Sequence, residues 1–371
     1  MSKNIHGNEL KKFVSLSFIF LFLIGVYWLL RSCKDSIFAS TVGIKHQPLA
    51  KMLSLCFLVP LILAYSKLID TVKKHHLFYV LGGIYGTFFL VVGYLLRCPG
   101  IGLENTVEDP SRYIGWVSYL GIESFGSLMV VLFWSFVSSS TNAESAKKNY
   151  PIIVFGGQFG SITGPVLVTK ASIFGVGGLV YIGAAGIFMM LVVVTYYVNF
   201  LPEELTGINE ATPADGKGKT GMLEGLKLLF KHKYVAGIFC VATFYEIIGT
   251  ILDFQMKLLA RQSFTTPNDF AQFMGKFGIG CNVLTLCFSL VGTGFVMKKW
   301  GLTFCIVLFP IIVGCVVVFV YFFASMWVFF WGLIVVRCFT YALNNPAKEI
   351  MYIPTSKDIR FKTKSWIDMF G

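Results

Sequence analysis

Long apolar segments separated by short polar stretches dominate the pattern of the chain. A helix needs roughly 20 apolar residues to cross a bilayer, and segments of that kind begin near Phe13, Leu49, Leu77, Tyr113, Ile152, Gly178, Val235, Gln272, Leu302 and Trp327. They lack the regular apolar–polar alternation that is typical of membrane β-strands. The pattern therefore predicts an all-α integral membrane protein with about ten transmembrane helices.

One long polar segment divides these helices into two groups. It contains many Gly, Pro and charged residues, with six apolar segments before it and four after it. We therefore predict a six-helix bundle over 1–200, a cytoplasmic linker over 201–233 and an incomplete C-terminal bundle over 234–371. Many carriers build each half from six helices and bind substrate between the halves, so this layout favours a transporter.

Composition supports the membrane assignment and excludes several kinds of site. Of the 371 residues, 56% are hydrophobic and only 13% are charged, whereas about a quarter of an ordinary soluble domain is charged. The nine cysteines form no CxxC pair and the five histidines lie in polar segments. Neither a disulfide framework, a metal site nor a cofactor is predicted.

The distribution of positive charge predicts the orientation of the helices in the membrane. With the N-terminus inside, 20 of the 31 Lys and Arg residues fall in cytoplasmic segments, as the positive-inside rule requires. These residues lie within 3–12, 67–74, 147–148, 217–233, 298–299 and 348–364. We therefore expect both termini in the cytoplasm, and the net charge of +12 does not call for a nucleic-acid partner.

The sequence does not favour an enzyme. The segment "GKGKTG" at 216–221 resembles a phosphate-binding loop, but no hydrophobic strand precedes it, and Pro213 stands where such a loop needs glycine. We interpret it as part of the flexible linker. A paired acid and base, an activated nucleophile and a metal cluster are also missing from the pattern.

Three glycines in the fifth apolar segment indicate close helix packing. Gly156, Gly160 and Gly164 recur at every fourth residue and so lie on one helix face. Small residues at this spacing let two helix backbones approach closely in lipid. The spacing predicts that this face packs against a neighbouring helix.

Charged residues inside apolar segments are the main candidates for function, because a charge near the bilayer centre costs at least about 2.5 kcal/mol. In the first segment Arg31, Lys34 and Asp35 share one helix face, and Asp35 can pair with Arg31. Two interpretations remain open. These residues either mark a helix end with snorkelling cations, or form the cationic wall of a substrate cavity with Lys34 as the free charge.

Two glutamates stand out in other segments. Glu123 lies in the fourth segment, where it either serves transport or pairs with a cation of another helix. In the seventh segment Asp253 is predicted to pair with Lys257 at i+4. Glu246 lies deeper in that segment and is therefore the better functional candidate.

The tenth segment ends in a further polar face. It contains Arg337, Tyr341 and either Asn344 or Asn345, and Lys348 follows closely. Cations and isolated glutamates around a watery cavity suit a polyanion, since Lys and Arg are the usual partners of phosphate. The residues alone thus predict a transporter of an anion.

The segment that follows resembles a family signature. "NPAKEIMYIPTSKDIRFKTKSWID" at 345–368 closely resembles that of the nucleotide transporter family, the ATP/ADP translocases of plastids and obligate intracellular bacteria. "LRSCKDSI" at 30–37, "GIESFGSLMVVLFWSFVSSSTNAESAKKNYP" at 121–151 and "FYEIIGTILDFQMK" at 244–257 also match it in order. The resemblance covers nearly the whole chain.

This resemblance implies a major-facilitator-like bundle of twelve helices, exchange of ATP for ADP, and a bacterial inner membrane. Lys34, Glu123 and Glu246 match charged positions that are important for transport in the family, and Lys364 is assigned to a further family lysine. The predicted substrate-binding residues are therefore Arg31, Lys34, Glu123, Glu246, Arg337, Lys348 and Lys364. The expected partners are ATP, ADP and the lipid bilayer.

The chain departs from many exchangers at several points. Ser124 and Phe125 follow Glu123 where many have a tryptophan, Thr355 and Ser356 replace a more acidic stretch, and the chain ends at Gly371, before two expected helices. Three alternatives therefore remain beside ATP/ADP exchange: import of another nucleotide, proton-coupled import, or a truncated paralogue that does not transport.

Overall fold

The computed structural model of the protein describes residues 2–72, 74–141, 143–201, 233–345, 347 and 351. The described residues form helices and loops and contain no β-strand. The helices are α1 (Ser2–Thr41), α2 (Gln47–Thr71), α3 (Lys74–Leu95), α4 (Tyr113–Ser140), α5 (Ala143–Val168), α6 (Ala171–Phe200), α7 (Lys233–Ser263), α8 (Pro267–Phe322) and α9 (Met326–Phe339). A π-helical turn follows at Thr340–Asn344.

Nine helical segments within the described residues are long and apolar enough to cross a membrane. Two of them, Pro267–Leu290 and Lys298–Phe322, lie in α8, which bends at Gly301, where φ is 80°. The seventh predicted segment also forms a helix, α7.

The chain divides into two compact units. The first contains Met1–Ala214 and Arg261–Ile279, and the second contains Asp215–Ala260 and Gly280–Gly371. The predicted linker over 201–233 lies almost entirely outside the described residues, as does the "GKGKTG" segment. Lys348 and Lys364 of the tail motif also lie outside them.

Helix α1 is the central element of the first unit. It packs against α4, α5 and α6, and every residue from Ser32 to Ile44 is buried. Its apolar side chains, such as Leu16, Leu30 and Ile37, are fully buried in the main hydrophobic core of this unit. A helix enclosed in this way can keep polar side chains away from lipid, which matters for the charged residues of its second half.

The glycine face of α5 brings its backbone against α1. A Cβ atom added to Gly156, Gly160 or Gly164 would lie 2.3, 2.4 or 2.2 Å from the backbone oxygen of Ser17, Leu21 or Gly25, respectively. Those α1 residues also recur at every fourth position, so two matching faces are in contact. The prediction of close helix packing from the glycine spacing is confirmed.

Arg112 organises the loop between α3 and α4. Its guanidinium donates to the backbone carbonyls of Ser40, Ile101, Gly102, Asn105 and Val107 at 2.6 to 3.3 Å. The backbone N–H of Asp109 in this loop also donates to Thr41 O, at 2.9 Å. The loop therefore joins the end of α1 to the start of α4, the two helices that carry Lys34 and Glu123.

The second unit has a smaller described core. Tyr245 of α7, Phe309 and Val313 of α8 and Val336 of α9 form one buried cluster. Close to it, the side chain of Ile334 packs where a Cβ on Gly280 would lie, 2.6 Å from its Cδ1. The π-helical turn at Thr340–Asn344 continues α9 directly.

We expect Gly160→Ala to destabilise the protein, because its Cβ would meet the carbonyl of Leu21 in the α1 backbone, which cannot move aside as a flexible side chain can. Overpacking of this kind costs about 1–3 kcal/mol. Thermal unfolding of the purified protein in detergent measures the effect. Gly83→Ala is the matched control, since a Cβ there meets nothing within 4 Å; equal stability of the two variants would contradict the α1–α5 contact.

Candidate functional site

Lys34 and Glu123 form an ion pair between α1 and α4. The Nζ of Lys34 donates to Oε1 of Glu123. The Lys34 side chain is only 7% exposed, whereas that of Glu123 is 31% exposed. The expectation of Lys34 as a free charge is therefore wrong, and the alternative that Glu123 pairs with a cation of another helix is confirmed. In sequence the two residues are 89 positions apart, and the packing of α1 on α4 brings them together.

The interpretation of this region as a helix end is also wrong. Helix α1 continues to Thr41, about two turns beyond Lys34. Both Lys34 and Asp35 are buried, at 6% and 3% exposure. A snorkelling cation keeps its charged end in water, and the Lys34 ammonium instead has its partner inside the protein.

An aromatic ring lies beside the same ammonium. The Nζ of Lys34 is 4.4 Å from the ring centroid of Tyr119, which lies one turn before Glu123 on α4. Cations within about 6 Å of a ring centroid are attracted by the ring face. One turn of α4 thus supplies both a carboxylate and an aromatic face to a single lysine.

Arg31 lies one turn before Lys34 and is held by aromatic residues of α1. Its guanidinium carbon is 5.2 Å from the Trp28 ring and 5.8 Å from the Tyr27 ring, and its Nη1 donates to the Tyr27 hydroxyl at 2.9 Å. Gly126 makes room for Tyr27, since a Cβ there would lie 2.3 Å from the Tyr27 ring. The half-buried guanidinium has five N–H donors, so it is suited to an oxyanion.

Asp35 is held by a residue of α2. The Nε2 of Gln47 donates to Asp35 Oδ1 at 2.8 Å, and both side chains are buried. The other amide atom, Gln47 Oε1, is buried with no hydrogen-bond partner in the structure. The helical spacing predicted a partner for Asp35 within α1, but no sequence pattern indicated Gln47, which lies beyond the turn at Gly43.

The serine that follows Glu123 has a structural role. The hydroxyl of Tyr85 on α3 donates to Ser124 Oγ at 3.0 Å, and the Tyr85 ring packs edge-to-face on Phe125 with centroids 5.4 Å apart. A small polar residue at position 124 therefore leaves room for the Tyr85 side chain beside the ion pair.

In the second unit, the predicted pair on α7 is confirmed. The Nζ of Lys257 lies 2.7 Å from Asp253 Oδ2, and both side chains are largely buried. Glu246, two turns earlier on the same helix, is exposed. Asp253 thus has a local partner within α7.

The polar face at the end of α9 lies beside α7. The hydroxyls of Thr340 and Tyr245 are hydrogen-bonded to each other, and Arg337, Glu246 and Tyr341 are electrostatic neighbours of the Tyr245 phenol. Asn344 is buried and Asn345 is half-buried, and Nδ2 of Asn344 has no hydrogen-bond partner. Of the predicted polar residues, Arg337, Tyr341 and Glu246 therefore lie around Tyr245.

The arrangement in the first unit has charges suited to the recognition of an anion. Two cations, Arg31 and Lys34, lie on one helix face beside aromatic rings. Of the two residues in the ion pair, Glu123 is the more exposed. Among the described residues, no group of three or more His, Cys, Asp or Glu could hold a metal ion. The chemistry available here is ionic recognition of a ligand.

Sequence reasoning identified the charged residues but missed their neighbours. Tyr119 lies at i−4 from Glu123, so helical spacing could have placed its ring on the same face of α4. Tyr27 lies at i−4 from Arg31, and the same spacing could have placed its hydroxyl beside the guanidinium. Gln47 had no such signal, because its contact with Asp35 depends on the direction of the turn between α1 and α2.

Comparison with known proteins places the chain in a family. A sequence model of the TLC ATP/ADP transporter family matches residues 3–99 and 113–330. The ADP,ATP carrier protein 3 of Rickettsia bellii is 22% identical, over 99% of this chain and 85% of its own length. The plastidic ATP/ADP-transporter of Solanum tuberosum is 25% identical, over 97% of this chain and 65% of its own length.

Solved structures identify the fold. The nucleoside transporter NupG, solved as a point mutant, superimposes with a TM-score of 0.61 at 16% identity, over 98% of this chain and 87% of that chain. A bacterial homologue of the human lysosomal transporter Spinster superimposes with a TM-score of 0.56 at 11% identity, over 98% of this chain and 79% of that chain. The chain is therefore a multi-pass membrane protein with a major-facilitator-like helical fold, and it belongs to the TLC ATP/ADP transporter family.

Proposed function

We propose that this protein transports a nucleotide across a membrane, and that ATP/ADP exchange by alternating access is its activity. The observation that carries the proposal is the buried Lys34–Glu123 pair, with Arg31 one turn away. Membership of the TLC ATP/ADP transporter family supports it, as do the relatives named ADP,ATP carrier proteins.

The physical reason concerns competition for a buried cation. The ammonium of Lys34 is shielded from water and needs an anionic partner. A nucleotide polyphosphate carries several negative charges and can replace the single charge of Glu123 in a charge-assisted hydrogen bond. Because Glu123 is 31% exposed, its carboxylate can be rehydrated when it is displaced, which lowers the cost of the exchange.

We assign roles to the candidate residues on this basis. Lys34 and Arg31 bind phosphate oxygens, and Glu123 is the counter-ion that the substrate replaces. In the second unit, Glu246 and Arg337 near Tyr245 are the proposed substrate contacts, whereas Asp253 and Lys257 serve structure. The proposed contacts of Lys348 and Lys364 concern residues outside the described part of the chain.

We expect Lys34→Gln to reduce nucleotide uptake by about tenfold, roughly 1.4 kcal/mol, because it removes one charge-assisted phosphate contact and keeps the side-chain length similar. Uptake of radiolabelled ATP, ADP and other nucleotides by intact expressing cells measures the effect, with membrane insertion of each variant verified. Lys170→Gln is the matched control, since Lys170 is an exposed residue at the start of α6.

Three results would count against the proposal or part of it. Wild-type uptake in correctly inserted Lys34→Gln would remove this lysine from the substrate site. Failure of the wild-type protein to take up any nucleotide would favour the non-transporting paralogue. Uptake that depends on a proton gradient and not on internal ADP would replace exchange by proton-coupled import.

We further propose that the protein resides in a bacterial inner membrane with both termini in the cytoplasm, because this orientation places 20 of its 31 basic residues inside. Single cysteines in an otherwise cysteine-free protein test this. We expect Glu104→Cys, in the exposed loop before α4, to react with an impermeant maleimide added to intact cells. Lys148→Cys, near the start of α5, should react only after the cells are opened; the opposite labelling would invert the topology.

A further inference from the structure

Tyr119 is held rigidly beside the ion pair. It is 1% exposed and belongs to a small buried cluster with Phe38, Val42 and Ala50. The Phe38 ring contacts it at a centroid distance of 5.2 Å, and Trp116 contacts Phe38 from another side, also at 5.2 Å. Because aromatic residues of both α1 and α4 take part, the orientation of the Tyr119 ring is fixed with respect to both helices.

The two partners of the Lys34 ammonium differ in kind. Glu123 offers a negative charge, so an anionic ligand competes with it directly for the ammonium. Tyr119 offers the face of a neutral ring at 4.4 Å, which attracts a cation without occupying the position of an anion. The ring contact can therefore persist while one anion replaces another.

Replacement of Glu123 by a ligand phosphate passes through an intermediate of high free energy. Between release of Glu123 and capture of a ligand phosphate, the buried ammonium has no anion at hydrogen-bond distance, and a buried charge without a partner is strongly disfavoured. The Tyr119 ring is one helical turn from Glu123, so the ammonium stays in contact with it as it moves away from the carboxylate. A contact that lowers the free energy of the ammonium in this intermediate state lowers the barrier and speeds the exchange.

We propose that Tyr119 is a positioning residue that holds the Lys34 ammonium by a cation–π contact while a substrate phosphate takes the place of Glu123. The inference rests on the proposed function, since it assigns Lys34 to the phosphates of a nucleotide. The ring contacts the ammonium before and after the exchange, and the contact is strongest in between, when neither carboxylate nor phosphate neutralises the ammonium. Tyr119 therefore governs the rates of ligand association and dissociation, and their ratio, the affinity, remains unchanged.

Fluorinated phenylalanines at position 119 test this role, because fluorine withdraws electrons from the ring face and leaves the shape of the ring nearly unchanged. The rates of ATP association and dissociation are measured on the purified protein by stopped-flow tryptophan fluorescence. We expect Tyr119→Phe to match the wild-type protein. Tyr119→3,4,5-trifluorophenylalanine should slow both rates about fivefold, equivalent to about 1 kcal/mol, with the Kd for ATP unchanged within twofold.

A matched control uses a fully buried ring elsewhere in the first unit. Phe89 is fully buried and packs edge-to-face on Phe125 at 5.8 Å, so Phe89→3,4,5-trifluorophenylalanine should leave both rates at the wild-type value. Equal rates across the series at position 119 would show that Tyr119 only fills space and would overturn the proposal. A change in Kd with an unchanged association rate would show that the ring contacts the substrate, which also overturns it.

A second ligand separates this inference from the proposed function. Inorganic pyrophosphate presents the phosphate chemistry without a base or ribose. If the wild-type protein binds pyrophosphate and not ATP, nucleotide transport is wrong, and the fluorinated series is then read with pyrophosphate, with the same slowing expected. If neither ligand binds, both the proposed function and the role of Tyr119 are wrong.

Discussion

Burial of the Lys34 ammonium is the constraint from which the arrangement of the first unit follows. A charge in the apolar part of a membrane protein needs a partner, and Glu123 supplies it only if α4 lies against the second half of α1. Helix α1 must then be enclosed on its other sides, and the glycine face of α5 allows this by letting the two helix backbones come into contact. The loop held by Arg112 fixes the adjoining helix ends.

The same constraint explains why an ion pair suits an exchanger. The Lys34 ammonium has an anionic partner in the structure, so under the proposed function the substrate competes with Glu123 instead of filling an unpartnered site. The free energy of substrate binding is then the difference between the free energies of two charge-assisted bonds, that of Lys34 to phosphate and that of Lys34 to Glu123. A modest net affinity of this kind lets a substrate leave after it has crossed the membrane.

The sequence predicted the features that depend on local spacing. Apolar segment length predicted the helices, the four-residue spacing of Gly156, Gly160 and Gly164 predicted a close helix contact, and i+4 spacing predicted the Asp253–Lys257 pair. Features that depend on tertiary packing were not predictable in this way. Lys34 and Glu123 were singled out separately, but nothing in their own neighbourhoods indicates that they pair, and Gln47 reaches Asp35 only because of the turn at Gly43.

Recognition of phosphate by Lys34 and Arg31 is the central claim, and competition for bound ATP tests it most directly. Radiolabelled ATP bound to the purified protein is displaced with unlabelled ADP and, separately, with adenosine, which lacks phosphate. The account predicts displacement by ADP at concentrations similar to ATP, and displacement by adenosine only at concentrations about a hundredfold higher, since two charge-assisted hydrogen bonds of roughly 1.5 kcal/mol or more each are lost. Equal displacement by adenosine and ADP would contradict it.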